Sequence, residues 1–91
     1  MDVTTYSVKL KVAACKKLDN LAAPVRNRIV AWIERNLVDC KNPRVWGHSL
    51  GVEIRNLWRY RVGGCRLVAN IRTNEVIILV INADNLNDLY D

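Results

Sequence analysis

Ninety-one residues with 51% apolar content make a single folded domain with a modest core, and exclude a disordered chain. Fourteen Lys and Arg against nine Asp and Glu leave a net charge of +5, which favours an acidic partner: nucleic acid, an anionic membrane surface or an acidic protein. No apolar run approaches the roughly 20 residues of a membrane span, and Cys15, Cys40 and Cys65, an odd count without a CxxC pair, indicate neither a disulfide framework nor a zinc site.

The opening Met1-Asp2-Val3-Thr4-Thr5-Tyr6 lacks the basic-then-apolar pattern of a signal peptide. A reduced cytoplasm is therefore the expected compartment, with no metal and no cofactor. Tyr6, Val8 and Leu10 alternate with Ser7 and Lys9 and predict a short first strand. Ala14, Leu18 and Leu21 then recur at helical spacing, with Lys11, Lys16 and Lys17 turned outward. Pro24 suits the first turn of a second helix, where its missing N–H costs nothing. Val25, Ile29, Trp32, Ile33 and Leu37 form that helix's apolar stripe, expected to pack on a sheet. Arg26, Arg28 and Arg35 lie off the stripe and read as a solvated face.

Asn42-Pro43 is expected to end the second helix, because the residue before proline is pushed out of helical geometry. A loop with a short extended piece follows from Arg44 to Gly51. Three strands come next, at about residues 54–62, 65–72 and 75–82, with Thr73-Asn74 turning the second into the third. The unbroken apolar run Val76-Ile77-Ile78-Leu79-Val80-Ile81 predicts a central strand covered on both faces. The order is β-α-α-β-β-β: one small α+β domain over residues 1–91, an antiparallel sheet with both helices packed on one face.

The hairpin Arg59-Tyr60-Arg61-Val62-Gly63-Gly64-Cys65-Arg66-Leu67 carries the most information. Gly63-Gly64 is a two-residue turn signal, so Val62 pairs with Cys65, Arg61 faces Arg66, and further along Arg55 faces Arg72. Alternation then puts Ile54, Trp58, Tyr60, Val62, Cys65, Leu67 and Ile71 on one face. Arg55, Arg59, Arg61, Arg66 and Arg72 take the other. Like charges directly opposite in a sheet repel. Two such pairs on one hairpin point to a face presented to a polyanion, and weigh against a merely solvated one.

The motifs Asn42-Pro43-Arg44, Gly47-His48-Ser49-Leu50, Leu57-Trp58-Arg59-Tyr60-Arg61-Val62-Gly63 and Arg66-Leu67-Val68 resemble the RelE/ParE superfamily of bacterial toxins. Tyr6-Ser7-Val8-Lys9-Leu10 and the two-helix order extend the resemblance over nearly the whole chain. It implies the RelE-like fold and the toxin half of a type II toxin–antitoxin pair, neutralised by a cognate antitoxin protein. RelE-like members cleave mRNA in the ribosomal A site; ParE-like members poison DNA gyrase. The ribosome and mRNA are then expected partners, with operator DNA reached through the antitoxin, and no membrane.

RNA cleavage by 2′-hydroxyl attack needs a proton acceptor, neutralisation of the phosphorane and a proton for the leaving 5′ oxygen. The resemblance assigns this work to Arg59, Arg61, Arg66 and Tyr90. Arg44, Arg55 and Arg72 are the accompanying RNA contacts, with Trp46, which reads equally as a stacking platform or a cap on the core. The family's later histidine and arginine are absent, since the chain reads Asp84-Asn85-Leu86 there. Arginine clamps phosphate but does not serve as a base. That leaves Tyr90 and His48 as the titratable candidates; His48 stands where many relatives have lysine, and histidine titrates near neutrality. Cys65 is assigned to packing, and Trp58 and Tyr60 to the core. Two other readings stay open: a gyrase inhibitor, which needs no acid–base set, and a toxin fold without chemistry that binds antitoxin and operator. Asp84, Asp88 and Asp91 favour the latter by adding negative charge near the cleft.

Overall fold

A computed structural model describes residues 4–51 and 56–83. The expectations on Ile54, Arg55 and Asp84 through Asp91, including Leu86 and Tyr90, lie outside the described residues. The chain runs β1 (Ser7–Leu10), α1 (Val12–Asp19), α2 (Ala23–Asn36), a single 3₁₀ turn (Pro43–Val45), β2 (His48–Ser49), β3 (Leu57–Val62), β4 (Cys65–Arg72) and β5 (Glu75–Ala83). The five strands form one sheet in the order β1-β5-β4-β3-β2. The α+β class and the two-helix layer agree with the sequence.

Three features depart from expectation. The sheet is mixed rather than wholly antiparallel, because β1 pairs with β5 in parallel, Val8 opposite Val76 and Leu10 opposite Ile78. The backbone N–H of Lys11 donates to the Ile78 carbonyl at 2.9 Å and carries that pairing to the start of α1. Second, α2 stops at Asn36, well before Asn42-Pro43. Asp39 adopts φ 59°, a left-handed exit from the turn after the helix. The chain then hydrogen-bonds β1's approach: Asp39 N–H to the Tyr6 carbonyl (2.9 Å) and Tyr6 N–H to the Cys40 carbonyl (3.0 Å). Pro43 instead opens the 3₁₀ turn, which Asn42 caps by accepting the Arg44 N–H at 3.0 Å. Third, β5 is not covered on both faces: Val76, Ile78 and Ile81 are buried, whereas Val80 is 41% exposed.

The core lies between the helices and one sheet face. Ala14 and Leu18 of α1 and Val25, Ile29 and Ile33 of α2 pack with Tyr60, Val62, Cys65, Leu67, Val76 and Ile78. Cys65 is fully buried, as its assigned packing role requires. Trp32 stands at the border of the stripe, its ring 5.3 Å from that of Tyr60 and tilted by 54°. Among the described residues no helix is long and apolar enough to cross a membrane.

The segment between α2 and β3 is tied down from β3. The buried Tyr60 hydroxyl donates to the Pro43 carbonyl at 2.7 Å, and the Trp58 indole N–H donates to the Trp46 carbonyl. Gly47, at φ +73°, lies so close to β3 that a Cβ there would meet the Arg59 carbonyl oxygen at 2.1 Å. β2 then pairs with β3, His48 opposite Arg59 and Ser49 opposite Trp58.

Gly47→Ala is expected to lower stability by at least ~1–2 kcal/mol for the left-handed backbone alone. The clash should also lift β2 off β3, read as faster amide exchange at residues 48–49. Burial first, and then the nearby Cys40, raise the Tyr60 hydroxyl well above the usual tyrosine value, with Arg44 opposing. Tyrosine in the unfolded chain titrates near 10, so this contribution is complete below about pH 10 and is lost as the pH rises beyond it. Tyr60→Phe should cost about 1–2 kcal/mol near neutrality by stranding the Pro43 carbonyl. It should also flatten the alkaline fall in stability, measured by urea titration across pH.

Candidate functional site

The β3–β4 hairpin has the register read from the sequence. Gly63 takes φ 60° in the turn, Val62 faces Cys65 and Arg61 faces Arg66. Adding β2 and β5 extends these pairs into two rows across the face turned away from the helices. One row runs His48, Arg59, Val68, Val80; the other runs Arg61, Arg66, Asn82. Directly opposed side chains in such rows have Cβ atoms about 4.5–5.5 Å apart. His48 and Arg61 are exposed, while Arg59 and Arg66 are half-buried.

Beside the β2–β3 edge, where α2 runs alongside, lies a hollow of about 350 Å³ lined by Trp32, Trp46, Gly47, His48, Arg59 and Arg61. Among the described residues its lining holds two arginines, an imidazole and two indoles, and no carboxylate. Trp46 is 44% exposed, so it caps the core only in part and offers a ring surface to a ligand. Guanidinium groups can hold phosphate oxygens bidentately, an imidazole can accept or donate a proton, and an exposed indole can stack on a base. The means of placing His48 are local: the Tyr60 and Trp58 hydrogen bonds fix the 43–46 backbone, and Gly47 lets the next residue lie flat against β3.

Not all the expected residues converge. Arg44 and Arg72 line a second hollow, also about 350 Å³, with Tyr6, Asn56, Ile71 and Thr73. Arg72 lies six positions beyond Arg66 on β4, about 20 Å along an extended strand. Arg72 also faces Glu75 in the register with β5. Arg55 and Tyr90 lie outside the described residues. Three residues escaped the sequence reading as site residues. Trp32 lines the His48 hollow, and Arg28 and Arg35 line an adjoining one with Trp32 and Arg61. Their spacing of i, i+4 and i+7 marked a single helix face. Among the described residues no group of His, Cys, Asp or Glu could hold a metal ion.

A family model described as the ParE toxin of the type II toxin–antitoxin system parDE matches residues 8–83. No curated protein matches the chain. Among solved structures it is similar to a chain of the RelBE2 toxin–antitoxin complex of Mycobacterium tuberculosis, with 22% identity and a TM-score of 0.77 over 92% of this chain and 98% of that one. The isolated Escherichia coli RelE toxin aligns with 15% identity and a TM-score of 0.69, over 88% and 85% of the two chains. The archaeal RelE–RelB complex of Pyrococcus horikoshii contributes a further match, with 19% identity, a TM-score of 0.67 and coverage of 89% and 97%. These likenesses speak to the fold, and the family match speaks to descent: the chain belongs to the ParE family of toxins from type II toxin–antitoxin systems.

Proposed function

We propose that this toxin is a ribosome-dependent endoribonuclease that cuts mRNA by 2′-hydroxyl attack on the adjacent phosphate. The observation that carries the reading is the pair of rows placing His48 beside Arg59 and Arg61 opposite Arg66. Such crowding of cations around one titratable side chain suits a reaction whose transition state is a doubly charged phosphorane.

In this mechanism His48 accepts the 2′-hydroxyl proton as the 2′-oxygen bonds to phosphorus. Arg59, Arg61 and Arg66 hold the non-bridging oxygens and stabilise the charge that develops on them. The bond from phosphorus to the 5′ oxygen breaks, leaving a 2′,3′-cyclic phosphate and a 5′-hydroxyl. Tyr90 is the proposed donor to the leaving oxygen. Trp46 supplies a stacking surface for a flanking base. Arg44 and Arg72, in their separate hollow, serve phosphates away from the scissile bond, and Arg55 is a further proposed RNA contact. A cognate antitoxin, the partner present in the related complexes, would hold the toxin inactive in the cytoplasm by laying an acidic segment over the arginine face, which relieves its self-repulsion. Operator DNA would be reached through that antitoxin.

A second reading draws on the family match itself. ParE-like toxins inhibit DNA gyrase, an activity that requires no proton transfer at His48. Primer extension on translated mRNA after induction of the toxin separates the two. Discrete cuts at A-site codons are expected; intact mRNA with induced DNA damage would select the gyrase reading. Neither effect would leave a fold that only binds antitoxin.

Within the cleavage reading, Arg66→Ala should slow cutting about 10²–10³-fold, the usual cost of losing one preorganised charge-stabilising donor. His48→Ala should slow it roughly 10²–10⁴-fold, as expected for removal of a general base. Single-turnover cleavage on programmed ribosomes measures both. Full activity in Arg66→Ala would refute the site, whereas full activity in His48→Ala alone would refute only the choice of base.

A further inference from the structure

One flank of α2 remains outside this chemistry. Arg28, Ala31, Trp32 and Arg35 follow one another at i, i+3, i+4 and i+7, so they share one helix face. That face borders the β3 edge, where the same four residues line a hollow of about 340 Å³ with Arg61, Val62 and Gly63. Trp32 and Arg61 also line the His48 hollow, so the two hollows adjoin across these side chains and together outline a groove along α2. The Arg28 guanidinium lies over the hairpin turn, its Nη1 only 2.6 Å from where a Cβ on Gly63 would stand. Arg28 and Arg35 are both exposed. They lie seven positions apart on the helix, about 10 Å along its axis. Glu34, the acidic residue of α2, lines a different, apolar hollow with Val30 and Val38.

We infer that this groove is the path of a single RNA strand beyond the cleavage hollow, with Arg28 and Arg35 binding its phosphates and Trp32 stacking on a base. The inference deepens the ribonuclease reading and rests on it for the identity of the strand. Guanidiniums interleaved with aromatic rings are the pattern that suits single-stranded nucleic acid, where charge follows the backbone and rings take the bases. An acidic peptide would use the arginines but has no need of Trp32 and Trp46. Each hollow has the size of a small-ligand site, which accommodates one unit of a strand and not a duplex. The ring of Tyr60 supports Trp32 from the core side, which holds the indole in place before any ligand arrives.

The test is binding of a short single-stranded RNA methylated at every 2′ oxygen, which cannot be cut because its nucleophile is blocked. Fluorescence anisotropy over about 50–200 mM salt gives the slope of log affinity against log salt, and each phosphate contact on a single strand contributes about 0.7 to it. Arg28→Gln combined with Arg35→Gln should reduce the magnitude of the slope by about 1.4 and weaken binding about tenfold. Arg28→Lys with Arg35→Lys should restore most of both, which a merely structural defect would not allow. Thermal unfolding confirms that the variants fold. A wild-type slope in the glutamine variant would overturn the inference, as would a wild-type chain that fails to bind this RNA. Intact RNA binding with lost binding of polyglutamate would reassign the groove to an acidic protein and overturn it too. RNA binding that depends on Arg28 and Arg35 without any mRNA cleavage after induction would keep the groove and discard the nuclease reading. Cleavage with an unchanged slope would do the reverse.

Discussion

Two hydrogen bonds from β3 to the backbone before it decide what the exposed face can be. Tyr60 holds the Pro43 carbonyl and Trp58 holds the Trp46 carbonyl. Both rings point away from the arginine face, so the anchoring is done from below. A neutral hydrogen bond adds about 0.5–1.5 kcal/mol, but stranding the carbonyl of the buried Tyr60–Pro43 bond costs about 1–3 kcal/mol. The constraint is therefore stronger than its net stabilisation suggests. Its product is the short β2 strand, and through β2 the placement of His48 opposite Arg59. Without the anchors, a two-residue strand has too few ladder bonds to keep that register.

The arginine rows carry a cost that the underlying core offsets. Like charges directly opposite in a sheet are destabilising. Beneath Arg61 and Arg66, however, Tyr60, Val62, Cys65 and Leu67 are all buried. Burying one such apolar side chain yields about 1.5–3 kcal/mol. The hairpin can then keep Arg61 and Arg66 opposed. This is the pattern expected where a local rule is broken at a functional face and compensated nearby.

The hairpin was legible in the sequence because everything that determines it is local: a Gly-Gly turn, period-2 alternation and a register counted outward from the turn. The end of α2 was not, because Leu37 continues the apolar stripe past the last helical residue. The exit depends on Asp39 in a left-handed conformation and on backbone bonds to Tyr6, far away in sequence. The parallel edge was hidden for the same reason, since β1 and β5 lie at opposite ends of the chain. Alternation turns Trp58 and Tyr60 toward the core but is silent on where their polar ends bond. A buried tyrosine or tryptophan must find an acceptor, and the loop just before β3 was the natural place to seek it. Helix periodicity takes Arg28 and Arg35 off the apolar stripe and says which residues share a face, not what that face borders.

The apolar run of β5 had a different meaning from the one its composition suggested. A strand buried on one face should alternate, and Val76 and Ile78 do point into the core. Continued unchanged, that phase would bury residue 80 and then Asn82, a polar side chain in an apolar layer. The register instead shifts: Ala69 faces Ile78 while Val68 faces Val80, which leaves Leu79 as the extra residue of a bulge. Beyond it the phase is reversed, with Ile81 buried and Val80 and Asn82 exposed. Asn82 is thereby delivered to the open face opposite Arg66, and Val80 completes the row that begins at His48. An unbroken run of Val, Ile and Leu is what makes this possible, because each of its positions tolerates either face. The run therefore marks not a strand covered on both sides but one whose phase must change beneath the site.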